Sequence, residues 1–132
     1  MLRTEIDEDG LEELVAAFYA KVRGDPMLGP VFEAAVGTGE EEWGRHLHKI
    51  AAFWSSVLLG TGRYQGRPMP AHAALPGIGA EHFARWLDLF GQTASTLFAP
   101  EPAARINDAA QRIGKSLQHG IAFIRAQGLA AS

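Results

Sequence analysis

Four stretches of this chain repeat apolar side chains at three- and four-residue spacing, and no segment sustains the alternation of a strand, so the pattern allows helices and little else. The first runs through Leu11, Leu14, Val15, Phe18 and Val22, with Glu12, Glu13, Lys21 and Arg23 on the other side. The second carries Trp43, Leu47, Ile50, Phe53, Trp54, Val57 and Leu58. Phe83, Trp86, Leu87, Phe90, Ala94 and Leu97 make the third face, and Ile106, Ala110, Ile113, Leu117, Ile121 and Ile124 the fourth. Each stripe needs a partner stripe to cover it. The expectation is an all-α single domain over residues 1–132, built from four long helices and two short pieces.

The breaks between stripes are chemically marked. Asp25-Pro26 ends the first helix, because proline pushes the residue before it out of the helical region. A turn and a short helical piece fit PMLGPVFEAA before Gly37-Thr38-Gly39. Thr38 with Glu41 has the spacing of a capping box, which predicts the second long helix to start there. GTGRYQGRPMP, with three glycines and two prolines in eleven residues, is the longest loop. Pro100 and Pro102 stop the third helix, and the fourth is expected from about Ala103.

Composition narrows the function classes. With 12 basic against 15 acidic side chains and no concentrated basic stretch, nucleic acid is a poor partner. No apolar run approaches the ~20 residues of a membrane span, and MLRTEIDEDG lacks the apolar centre of a signal peptide, so a cytoplasmic protein is expected. Cysteine is absent, which removes disulfides and thiolate metal sites.

Histidine is the remaining chemistry. His46 and His48 look like a metal pair, but two residues on a helix lie ~200° apart and cannot grip one ion. His46 and Ile50 share a face, beside Trp43 and Phe53. Taken singly, His46 reads as a half-buried edge histidine, Tyr19 as a packed ring with a satisfied hydroxyl, and Trp86 as core. Taken together, Phe18, Phe32, Phe53, Trp54, Leu75, Phe83, Trp86 and Phe90 are many large groups for a small bundle. With Tyr19, His46 and Trp86 among them, they suit a ring-lined pocket holding a few inward polar groups. His72 stands apart, in the short proline-bounded run PMPAHAALP.

Several separated blocks, in order, resemble one family: FYAKVRGDPMLGPVF at 18–32, EEWGRHLHKIAAFWSSVLLGTGRY at 41–64, the QGRPMPAHAALP run around His72, and HFARWLDLF at 82–90. They resemble the truncated haemoglobins of group III, as does the lack of any Gly-Gly pair. The resemblance covers nearly the whole chain. It implies a truncated globin fold, a two-over-two helical sandwich around haem b and its iron.

Carried across by position, the resemblance makes His72 the iron ligand. Iron ligation suits a short segment with little helix propagation energy of its own. Tyr19, His46 and Trp86 match the polar residues on the opposite, ligand-facing side. Ile50 matches the apolar residue one turn beyond His46, and Phe32 the phenylalanine that wedges the porphyrin. Phe53, Leu75 and Phe83 complete the lining, and propionate contact falls to Lys49, Tyr64, Arg63 or Arg67.

Tyr O–H and Trp N–H donors in a dry pocket stabilise a diatomic ligand that gains negative charge on binding. Each such bond is worth ~1.5–3 kcal/mol, so release slows by a hundredfold or more with two. This favours redox chemistry of dioxygen or nitric oxide over oxygen delivery, with an external reductase, since the chain has no room for a flavin or nicotinamide domain. A peroxidase-like enzyme using His46 as acid–base group is the alternative chemistry. A haem-free helical sensor or interaction module is the alternative class. Whether His46 faces ligand, solvent or iron stays open.

Overall fold

The computed structural model describes residues 1–64 and 79–131, with side chains of the last helix described as far as Phe123. Helix α1 spans Glu8–Gly24, α2 Leu28–Val36, α3 Glu40–Leu59, α4 Ala80–Leu97 and α5 Pro100–Ala131. The described residues contain no strand, only an isolated bridge between Arg3 and Phe98. The all-α expectation holds, with four long helices and one of the two short pieces. The other short piece, around His72, lies outside the described residues, as do Arg67 and Leu75.

The packing is of two helix pairs. α1 lies on α3, α4 lies on α5, and α1 also crosses α4 to join the pairs. Where they meet, Phe18, Trp54, Phe90, Leu11, Leu14 and Ile106 are almost fully buried. Each such side chain contributes ~1.5–3 kcal/mol over exposure. Phe18 meets Trp86 and Phe90 edge-on, at centroid distances of 5.5 and 5.0 Å. The stacked rings of Trp54, Phe90 and Trp86 carry the contact across to α3. A smaller cluster of Phe83, Leu117 and Ile121 is separate from this core.

The helix ends follow local chemistry, with two corrections. Asp7 caps α1 by accepting from the Gly10 N–H at 2.8 Å, a bond that satisfies one of the orphan donors of the first turn. Thr38 and Glu41 do not form the expected capping box. The N-cap of α3 is Gly39, which has no side chain to offer, and the Thr38 carbonyl accepts from Arg23 instead. The last helix starts at Pro100 rather than about Ala103. Pro100 and Pro102 sit in its first turn, where a missing N–H costs nothing.

Two corners are unusually well tied. At the α1–α2 corner, Oδ2 of Asp25 accepts from the N–H groups of Met27 and Leu28 at 3.1 and 2.9 Å. The next turn is so close that a Cβ on Gly29 would stand 2.8 Å from the Arg23 carbonyl oxygen. At the α2–α3 corner, the Trp43 indole donates to the Gly37 carbonyl at 2.8 Å. Arg23 lies 4.7 Å over the Trp43 ring, a cation–π contact that closes the corner from outside. Together these fix α2, and with it Phe32, against α1.

Candidate functional site

Tyr19 is the centre of the site. The helical period that turns Phe18 into the core turns Tyr19 toward α2 and α3, where it is 5% exposed. Its ring meets Phe18 at 4.8 Å, Phe32 at 5.6 Å, His46 at 5.9 Å and Trp43 at 6.2 Å. The first three contacts are edge-on, the favoured arrangement for aromatic quadrupoles. Burial pushes the phenol up to about 12, while the Trp86 indole pulls the other way by hydrogen bonding to the phenol oxygen. An indole N–H is donor only, so the phenol oxygen accepts and its own proton is left to donate elsewhere.

His46 stands beside Tyr19, half-buried, with its ring edge-on to Trp43 at 5.6 Å. Four residues further along α3, Ile50 is also half-buried, followed by Phe53. Phe53 packs edge-on against Trp54 at 5.4 Å and Tyr64 at 5.3 Å. Trp86 enters from α4, half-buried, stacked on Phe90 at 5.0 Å. Tyr19 of α1 and His46 of α3 therefore meet beside Phe32, and the Trp86 indole of α4 lies within reach of the phenol oxygen.

The chain matches no protein-family model. It is 40% identical over 114 residues to the group 3 truncated hemoglobin ctb of Campylobacter jejuni, covering 86% of this chain and 90% of that one. It also superposes on the crystal structure of a group III truncated hemoglobin from Campylobacter jejuni with a TM-score of 0.88. That match has 38% identity and covers 92% of this chain and 95% of the other. This chain belongs to the group III truncated hemoglobins.

The rest of the expected site of this truncated hemoglobin divides in two. Phe83 is buried, but among Leu117 and Ile121 rather than with the Tyr19 group. Lys49 is exposed on α3. Arg63 is engaged elsewhere: its guanidinium pairs with Glu8 at the start of α1. Ser55 donates to the same carboxylate, and the two contacts hold Glu8 below the usual carboxylate range against the opposing effect of burial. Ser55 also shares a 2.6 Å hydrogen bond with Thr61, and the Tyr64 N–H donates to Ser56 at 2.9 Å. Gly60 and Gly62, at φ 68° and 69°, let the chain double back to make these contacts, a conformation glycine adopts without steric cost.

Two features of the truncated hemoglobin were not legible in its sequence. Trp43 reads as one more core tryptophan, yet it forms one wall beside Tyr19 and His46. The Asp25–Arg85 ion pair joins residues sixty positions apart, with Arg85 Nε at 2.9 Å and Nη2 at 2.8 Å from Oδ1. An aspartate before proline signals only a helix end. Nothing local says that its carboxylate is buried and needs a cation.

Proposed function

We propose that this chain binds haem b and, on the side lined by Tyr19, Trp86 and His46, holds dioxygen, nitric oxide or a similar diatomic ligand for redox chemistry. Family membership supports haem as the cofactor. The residues present also suit it on chemical grounds. A porphyrin needs apolar groups along its faces, which Phe32, Ile50 and Phe53 would supply, and a guest at its metal needs donors in a dry setting. His72, outside the described residues, is the proposed iron ligand. Leu75 and Phe83 are proposed to complete the lining, with Lys49, Tyr64 or Arg67 near the propionates.

The observation that carries the reading is the buried Tyr19 phenol, packed edge-on against Phe32 and His46 and within reach of the Trp86 indole. A phenol whose oxygen accepts a hydrogen bond becomes a better-defined donor through its own proton. The haem supplies an iron centre at which a diatomic ligand binds and exchanges electrons. The chain's own residues orient and retain that guest. Tyr19 donates to it, Trp86 fixes the phenol, and the rings of Phe32, Trp43 and Phe53 keep water out, which strengthens each polar contact.

Repeated turnover needs an electron source, so an external reductase is part of the proposal, as is a cytoplasmic setting. His46 favours a second use, because its half-buried ring touches Tyr19 and an imidazole can carry protons near neutrality. If it does, His46→Leu slows a peroxide reaction far more than ligand binding, and equal effects on both count against it. The main test is an absorption spectrum of protein expressed with haem available. A Soret band that is lost in His72→Ala supports the reading. A folded protein without one, or equal haem uptake by the alanine variant, ends it.

A further inference from the structure

Trp86 reaches Tyr19 only while α4 keeps one rotation and one height against α1. The ring contacts of Phe18 with Trp86 and Phe90 prefer an edge-on geometry but hold over a range of centroid distances, so they tolerate small shifts. The ion pair between Asp25 and Arg85 does not. Asp25 is 4% exposed in its side chain, and its Oδ1 accepts from Nε of Arg85 and lies 2.8 Å from Nη2, a two-nitrogen contact that fixes orientation as well as distance. A third nitrogen, Nη1, lies 3.5 Å from Asp88 one turn along α4. The guanidinium is thus held from both sides.

Position along the helices makes this pair matter for the site. Arg85 precedes Trp86, so fixing one sets the other to within ~100° and ~1.5 Å of helix geometry. Asp25 closes α1 six residues beyond Tyr19, or ~9 Å along the axis. The same two helices are therefore linked by the clamp at one end and by the contacts of Phe18 and Tyr19 with Trp86 further along. The other oxygen of Asp25 caps α2, which carries Phe32 to the Tyr19 ring. One carboxylate holds all three elements around the phenol.

We propose that Asp25 and Arg85 are a positioning pair for ligand retention, clamping α4 to the α1–α2 corner so that Trp86 keeps its contact with Tyr19. The proposal rests on the reading that Tyr19 and Trp86 face the bound guest. The exposed pairs Arg45–Glu41 and Arg112–Asp108 lie within single helices and cannot do this work.

The experiment compares haem-loaded wild type with Arg85→Ala, Arg85→Lys and Tyr19→Phe. Oxygen dissociation is followed by stopped flow, and the Trp86 indole N–H resonance by NMR in the carbon monoxide form. Arg85→Ala is expected to speed oxygen release about fivefold, the loss of part of one hydrogen bond, and to shift the indole resonance. Lysine keeps the charge without the fork and is expected to restore part of both. If the alanine variant does not fold, the lysine variant decides, since it must still shift the resonance and release oxygen at least about twofold faster. Release and resonance unchanged by Arg85→Ala, with Tyr19→Phe still accelerating release, overturns the positioning pair alone. If Tyr19→Phe also leaves release unchanged, the reading of the site falls and this inference with it.

Discussion

Replacing Tyr19 with phenylalanine removes one oxygen and keeps a ring of the same shape, so the edge-on contacts to Phe18, Phe32 and His46 survive. On the proposed function, what is lost is the donor to the guest and the acceptor for Trp86. A hydrogen bond to a group gaining charge is worth ~1.5–3 kcal/mol, or about 10- to 150-fold in release rate. The Trp86 indole, deprived of the phenol oxygen, is then free to donate to the guest and recovers part of that loss. The net expectation is the low end, about tenfold faster oxygen release, measured by displacement with carbon monoxide. Trp86→Phe alone should do less, because Tyr19 keeps its proton. The double variant should exceed the product of the two single effects, since neither ring can then replace the other. Because burial holds the phenol neutral up to about 12, wild-type release should be flat with pH to about 10. Release within twofold of wild type for Tyr19→Phe, or a double variant equal to the simple product, overturns the proposed role of the phenol.

Three further outcomes follow from the ties that frame the site. The Asp25 carboxyl is held below its ordinary value of 3.8, first by the Leu28 N–H and then by Arg85 and the Met27 N–H. Its contribution to stability is therefore full above that value and is lost as pH falls through the lowered folded value. Acid unfolding of Asp25→Asn should accordingly be less steep than that of wild type in this range. Glu8→Gln should lower the melting temperature, and wild type should lose the difference in high salt, because the pair with Arg63 is partly exposed; an unchanged difference counts against a charge effect. Gly29→Ala places a methyl group against the Arg23 carbonyl and should cost about 1–3 kcal/mol by denaturant titration. A neutral result would mean that α2 can move without penalty.

Much of the architecture was legible because helical period is a local property. The stripes through Phe18, Trp54, Phe90 and Ile106 named their own inward faces, and all four residues are buried. Helix boundaries were less secure: Thr38 and Glu41 had the right spacing for a cap, but the chain starts α3 at Gly39–Glu40, with Arg23 occupying the Thr38 carbonyl. Tyr19, His46 and Trp86, proposed to face the ligand, were named from resemblance, not from period, since each reads alone as an ordinary packed ring.

That this chain is helical, where its stripes lie and which family it resembles can be read from residue order alone, because those depend on local spacing. Folding in three dimensions brings Tyr19 against Trp43 and His46, pairs Arg63 with Glu8 and buries Asp25 against Arg85. These contacts span up to sixty residues. Their energies depend on burial and on the angle between helices, and neither quantity is written in a local stretch of chain.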